Sequence, residues 1–334
     1  MNTPARLRAW LFTGAVLALA ACDGPQSALL PRAEQAEAID RVWRVMLWTC
    51  TALYIVVLLA LAYAMLRRRA DRRREGIASD PLLRKTLAAW VVVIVAFLTA
   101  FVALSYAEDR RIRGGEPDLE VRITAKQWWW QVEYLDADPS RQFTTANELH
   151  LPRDRTARIE LRAGDVIHSY WVPALGGKED LIPGRTNAVW VTPRENGTWR
   201  GQCAEFCGLQ HAHMALDVFV HDVGFFERWR DTQLYPARLP ETATARRGKA
   251  VFEQHACATC HTVRGTTAGG RLGPDLTHFA SRRHLAAGLL PVESPHLLAW
   301  IEDPQRLKPG AQMPAVPLAP QDLLAVNEYL LGLR

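Results

Sequence analysis

Hydrophobicity changes period several times along the chain. Residues 45–66 and 86–107 are two uncharged apolar runs, each about long enough to cross a bilayer as a helix. A shorter apolar stretch, residues 9–21, follows Arg6 and Arg8 at the N-terminus. Beyond residue 116 the pattern becomes alternation. L-E-V-R-I-T-A at 119–125, A-R-I-E-L at 157–161 and M-A-L-D-V-F-V at 214–220 put apolar side chains at every second position, which predicts half-buried strands. Pro, Gly and Asn turns break these segments, as in an antiparallel sandwich over residues 117–225. Residues 229–243 read as a linker. The remainder is helical in pattern, with segments at 245–255, 294–303 and 320–331; Ser294 and Pro320 are the expected starts of the last two.

Charge refines this picture. The chain has 334 residues and a formal net charge of +5, with 40 Lys/Arg against 35 Asp/Glu. Much of the excess lies between the two apolar runs, where residues 67–75 read R-R-R-A-D-R-R-R-E and Arg84 and Lys85 precede the second run. Basic residues beside a span mark its cytoplasmic side, so this cluster sets topology and gives no reason to expect a nucleic-acid partner. Both flanks of the hairpin then face the opposite, exported side. The N-terminus agrees: a basic start, a short apolar stretch and Leu19-Ala20-Ala21-Cys22 have the form of a lipoprotein signal, with Cys22 the lipidated first residue of the mature chain. A plain signal-peptidase site and an uncleaved segment are the alternatives.

Two clusters carry chemistry. Residues 203–214 read C-A-E-F-C-G-L-Q-H-A-H-M. Two thiols, an imidazole and a thioether in one short loop suit copper, since zinc has little use for a thioether. Cys203, Cys207, His211 and Met214 are the candidate ligands, and His168 is the best assignment for a second imidazole. The second thiol allows two thiolates to bridge two coppers. A Cys203–Cys207 disulfide or a two-cysteine copper chaperone explains neither His211 nor Met214 at these spacings. Downstream, Cys257-Ala258-Thr259-Cys260-His261 is the C-x-x-C-H attachment signature of c-type haem. Met313 is the candidate second axial ligand, because a His/Met pair raises the potential for electron transfer. Gly273-Pro274 is where a backbone carbonyl would fix the His261 ring. A redox dithiol would not require the adjoining His. Cys50, inside an apolar run, reads as inert packing.

These blocks, with H-S-Y-W-V-P-A-L-G-G-K-E-D-L-I-P-G-R at 168–185 and Q-W-W-W-Q-V-E-Y at 127–134, resemble subunit II of the haem–copper cytochrome c oxidases, and the appended haem motif resembles the caa type. The resemblance implies a multidomain membrane protein with a two-helix transmembrane hairpin, a cupredoxin-like β-sandwich and an all-α cytochrome c domain. Its expected boundaries are a signal peptide at 1–21, a periplasmic segment at 22–40, the hairpin at 41–112, the copper domain at 113–228, the linker at 229–243 and the haem domain at 244–334. It makes His168, Cys203, Cys207, His211 and Met214 side-chain ligands of a dinuclear CuA centre. Glu205 would give copper its backbone carbonyl and its carboxylate to a magnesium ion shared with subunit I. Trp128 matches the residue where electrons arrive from soluble cytochrome c, and here the tethered haem is expected to dock over it instead, while Trp129 and Trp130 read as packing.

The implied function is electron input to a terminal oxidase of the bacterial inner membrane, from a periplasmic cytochrome c or a cytochrome bc complex, through haem c and CuA to haem a of subunit I. Dioxygen reduction at the haem a/CuB centre and proton translocation belong to subunit I, with subunit III a further partner. A CuA-type nitric oxide reductase and a stand-alone copper and haem relay are the alternatives. Nitrous oxide reductase is disfavoured because no His-rich propeller precedes the copper domain. One departure stands out: the family's carboxylate near the start of the second span is missing around Thr86, where the sequence has Arg84 and Lys85, and Asp80 is the nearest acid. Residues 116–228 carry 12 Lys/Arg against 17 Asp/Glu and residues 243–334 carry 10 against 7, so opposite signs favour docking of one domain on the other.

Overall fold

The computed structural model describes residues 24–70, 80–113 and 115–334; the signal sequence, Cys22 and most of the basic loop lie outside the described residues. Two helices open the described chain, α1 (Glu34–Ala70) and α2 (Asp80–Ile112). At 37 and 33 residues they exceed what the hydrocarbon thickness demands, and their apolar windows are wholly exposed among the described residues. Near one end, Arg41 donates to Glu108 at 2.7 Å and Arg111 to the same carboxylate at 3.0 Å, which ties the two helices as an antiparallel pair.

The copper domain is a sandwich of two five-stranded sheets. One takes β1 (Leu119–Lys126), β2 (Trp129–Leu135), β3 (Phe143–Ala146), β5 (Ala157–Ala163) and β8 (Asn187–Val191), in the order β3-β2-β1-β5-β8. The other takes β4 (Glu148–Pro152), β6 (His168–Trp171), β7 (Glu179–Leu181), β9 (Gly197–Cys203) and β10 (Ala215–His221), in the order β4-β10-β9-β6-β7. Strict alternation builds the core: Val121, Ile123 and Ala125 of β1 and Trp130, Val132 and Tyr134 of β2 are buried while their neighbours in sequence face outward. The three alternating segments expected as strands are β1, β5 and β10. The sheets are mixed and not purely antiparallel as expected: β1 runs parallel to β5 and β10 parallel to β4. Residues 24–36 strap onto this sandwich, with Arg32 N–H donating to Ala174 O at 2.8 Å and the buried Gln35 accepting from Thr192 N at 2.8 Å.

After β10 comes α3 (Val223–Leu234), which runs through the first part of the stretch expected to be linker. Its apolar face, Phe226 and Trp229, packs on Tyr134 and Phe143, so burial against the sandwich keeps helical a segment whose composition reads as a connector. The extended residues that remain, 235–242, are not free either. Ala237 N–H donates to Arg264 O at 2.9 Å, and His278 Nε2 donates to Tyr235 O at 3.1 Å.

The haem domain is helical, as expected. It comprises α4 (Ala243–Gln254), a short α5 (Cys257–Cys260), a two-residue-per-strand hairpin β11 (His284–Leu285) and β12 (Leu290–Pro291), α6 (Ser294–Glu302), α7 (Pro304–Leu307) and α8 (Pro320–Leu331). Thr242 caps α4 by accepting from Ala245 N at 2.9 Å. α4 and α8 cross at Gly248, and Phe252 meets Tyr329 edge-on at 5.8 Å.

Candidate functional site

Three strand ends deliver the copper ligands to one place. His168 begins β6, Cys203 ends β9, and Met214 immediately precedes β10; Tyr170 of β6 is in register with Cys203. Cys203 N–H donates to Met214 O at 3.0 Å and Ala204 N–H to Ser169 O at 3.0 Å, closing the loop against both strands. Within it, Gly208 has φ +113°, a conformation that lets the chain reverse between Cys207 and His211. The two sulfur atoms Sγ of Cys203 and Cys207 stand 3.7 Å apart, and both cysteines are free, which removes the disulfide reading. His168 Nδ1 lies 3.8 Å from Cys203 Sγ, His211 Nδ1 3.6 Å from Cys207 Sγ, and Met214 Sδ 4.0 Å from Cys207 Sγ. The carbonyl oxygen of Glu205 lies 3.2 Å from Cys203 Sγ. Every expected copper ligand therefore converges on one cluster. The Glu205 carboxylate instead accepts from Phe206 N–H at 3.0 Å within its own loop.

The electrostatics suit a cation. The hydrogen bond with Cys207 lowers the Cys203 pKa, with His168 adding to the effect, and the same contact pushes Cys207 up. Without a metal the pair shares one proton, whereas a cation between the sulfurs would hold both as thiolates. His168 is fully buried, and its Nε2 is 2.8 Å from Asp165 Oδ1, leaving Nδ1 to face the sulfurs. Asp165 also accepts from Gln127 N–H at 2.6 Å. Asp165 as the group that orients His168 is not among the residues singled out from the sequence; an acid three residues before a candidate ligand is the signal that could have found it.

Haem fits the second site. A cavity of about 310 Å³, lined mainly by apolar side chains, contains Cys257, Cys260, His261 and Met313 in its walls. His261 Nδ1–H donates to Pro274 O at 2.8 Å, and burial lowers its pKa, so a neutral ring offers the Nε2 lone pair to iron. A Cβ on Gly273 would come within 2.6 Å of the His261 ring, which is why glycine stands beside it. Gln305, a residue with no sequence signature, pins the loop that carries Met313: its amide donates to Ala311 O at 2.7 Å and Met313 O at 2.9 Å, and its oxygen accepts from Gly310 N–H at 2.9 Å.

The same cavity is completed by the copper domain, through Gln127, Trp128 and Asn147. Trp128 is therefore covered: only 8% of it is accessible. Its indole Nε1–H donates to Cys207 O at 2.9 Å, beside the copper cluster, while its ring abuts Gly310 of the haem domain. Trp130 is core, and Trp129 lies under the Lys126 ammonium at 4.9 Å.

A family model described as "Cytochrome C oxidase subunit II, periplasmic domain" matches residues 135–221, and one described as "Cytochrome c" matches residues 245–334. Cytochrome c oxidase subunit 2 of Alkalihalophilus pseudofirmus is 32% identical over 332 residues, covering 95% of this chain and 94% of that one. Cytochrome c oxidase subunit 2 of Bacillus subtilis is 31% identical over 255 residues, 73% of this chain and 70% of that one. Among solved structures, the periplasmic domain of subunit II of cytochrome oxidase of Bradyrhizobium japonicum is 32% identical over 36% of this chain and 95% of that one, with a TM-score of 0.33.

Proposed function

Because the chain belongs to the cytochrome c oxidase subunit II family and is thus a subunit of a haem–copper oxidase, we propose that it receives electrons from a periplasmic donor and hands them to haem a of subunit I. Cys257, Cys260, His261 and Met313 would hold a covalent haem c, and His168, Cys203, Cys207, His211, Met214 and the Glu205 carbonyl a dinuclear CuA centre. Bound there, the two groups supply successive one-electron carriers, the copper pair spreading its charge over two metals in a rigid loop. The observation that carries the reading is Trp128, hydrogen-bonded to the Cys207 carbonyl on one side and walling the haem cavity on the other.

The protein's own groups do the positioning. Pro274 O and Asp165 fix the rings of His261 and His168, Gln305 fixes the Met313 loop, and the apolar cavity wall excludes water. The Glu205 carboxylate is the candidate magnesium ligand at the boundary with subunit I. The donor is a periplasmic cytochrome c or a bc complex, subunit III completes the assembly, and proton uptake uses no carboxylate at the usual place near Thr86. The membrane is the bacterial inner membrane, with both redox domains in the periplasm. We expect the intact mass of the purified chain to correspond to a lipidated N-terminus at Cys22; a chain retaining residues 1–21 would refute the lipoprotein signal.

Purifying the complex from its native membrane tests the whole reading. We expect a partner subunit containing haem a and consumption of dioxygen driven by reduced cytochrome c. Nitric oxide consumption without haem a would favour the nitric oxide reductase alternative, and isolation of the chain with no catalytic partner would favour the stand-alone relay.

A further inference from the structure

The copper and haem domains meet across a built interface. Gln210 of the copper loop donates from Nε2 to Pro309 O at 2.9 Å. Ala215 N–H donates to Ala287 O at 3.0 Å, His284 Nδ1 donates to Asp217 Oδ2 at 2.6 Å, and the buried Arg282 lies 3.7 Å from the buried Glu148. At its centre is Lys308, of which only 2% is accessible. Its Nζ donates to Trp128 O at 2.8 Å, His213 O at 2.7 Å and Ala286 O at 2.8 Å.

Lysine is almost never buried so completely without an ionic partner, because an ammonium loses its hydration there. Here three carbonyls take its three protons. A compact three-proton donor suits that arrangement; a planar guanidinium does not. Each carbonyl belongs to a part of the electron path. Trp128 separates the haem cavity from Cys207, and His213 lies between His211 and Met214. Ala286 belongs to the haem-domain turn against the cavity, and Lys308 itself precedes the Met313 loop and is held by its own N–H to Pro304 O at 2.8 Å. One side chain thus ties the backbones around both centres to a single point.

We propose that Lys308 is the positioning residue that latches the haem domain onto the copper domain, so that the copper pair is reduced by the tethered haem and an external carrier has no access to Trp128. This rests on the electron-transfer reading above. The latch explains why a residue that matches an open docking position is covered here, and why the opposite net charges of the two domains do not suffice by themselves. Net charge draws the domains together, and two directed hydrogen bonds from Lys308, to Trp128 O and His213 O, cross between them and set their register. The third, to Ala286 O, holds the ammonium within its own domain.

The test uses the purified complex with Lys308→Met, which keeps the length and apolar stem but donates nothing. Haem is reduced by a light-triggered electron donor and copper reduction is followed optically. We expect transfer to slow at least tenfold while the sulfur-to-iron charge-transfer band of the haem and the mixed-valence copper resonance stay unchanged, and amide exchange at residues 284–291 to rise. Lys308→Gln, which retains donors for two of the carbonyls, should fall between the two and serves if the methionine variant does not assemble. Native transfer rates in either variant with intact spectra would overturn the latch. Absence of transfer in the unsubstituted complex would overturn the electron-transfer reading instead, with amide exchange still reporting on docking.

Discussion

Cys207→Ser removes the mixed-valence copper signal and lowers oxidase turnover by more than about 100-fold. Loss of an outer-sphere partner of a metal ligand already costs about 10–100-fold. Cys207 does more than an outer-sphere group: its sulfur is within 4.0 Å of the donor atoms of Cys203, His211 and Met214, and its carbonyl accepts the Trp128 indole. A serine hydroxyl is harder, shorter and not deprotonated at neutral pH, so it cannot bridge two soft metals. Electron paramagnetic resonance checks the result: hyperfine structure from one electron shared by two copper nuclei should give way to that of a single nucleus, or to no copper at all. A variant that keeps the shared-electron pattern would show that the two sulfurs do not bridge.

Gly248→Ala is expected to unfold the haem domain and prevent haem retention. A Cβ there would sit 1.9 Å from Ala325 O and 2.4 Å from Ala325 C, in the crossing of α4 over α8, and 2.9 Å from Tyr329 Cβ. The obstacle is backbone, so no side-chain rotation relieves it. Overpacking costs about 1–3 kcal/mol even where side chains can yield, and here the helices themselves must separate. The crossing also carries Phe252 against Tyr329 and the Arg247–Asp322 ion pair at 2.8 Å, which separate with them. Against a typical domain stability of about 5–15 kcal/mol, that is a large fraction. Covalent haem content and the melting temperature of the purified complex measure it; both unchanged would show that the crossing tolerates a methyl group.

The sequence carries some of this plainly and some not at all. Apolar run length predicts α1 and α2, and period-two alternation predicts β1, β5 and β10, because in each case one local rule decides the element. The candidate metal ligands are legible because soft and imidazole donors at fixed spacings have few other uses. What escapes is whatever depends on distant backbone. The α3 helix exists because Phe226 and Trp229 find Tyr134 and Phe143, which are far away in sequence. Lys308 looks like an ordinary surface cation until its three carbonyl partners are assembled around it. Asp165 and Gln305 act through hydrogen bonds that no motif encodes. Trp128 differs: its motif marks a surface on the copper domain, and the appended haem domain is already expected from the sequence to dock over it.

The shared wall of the haem cavity has a thermodynamic meaning. A haem's reduction potential depends on how well its surroundings exclude water, since a low dielectric penalises the more highly charged oxidised iron. Gln127, Trp128 and Asn147 come from a domain that does not itself carry the proposed iron ligands. With haem and copper held as proposed, the driving force for handing an electron on would therefore be a property of the docked pair. Undocking would admit solvent and lower the haem potential as well as lengthening the path, so contact between the domains and the energy of the transferred electron are set together.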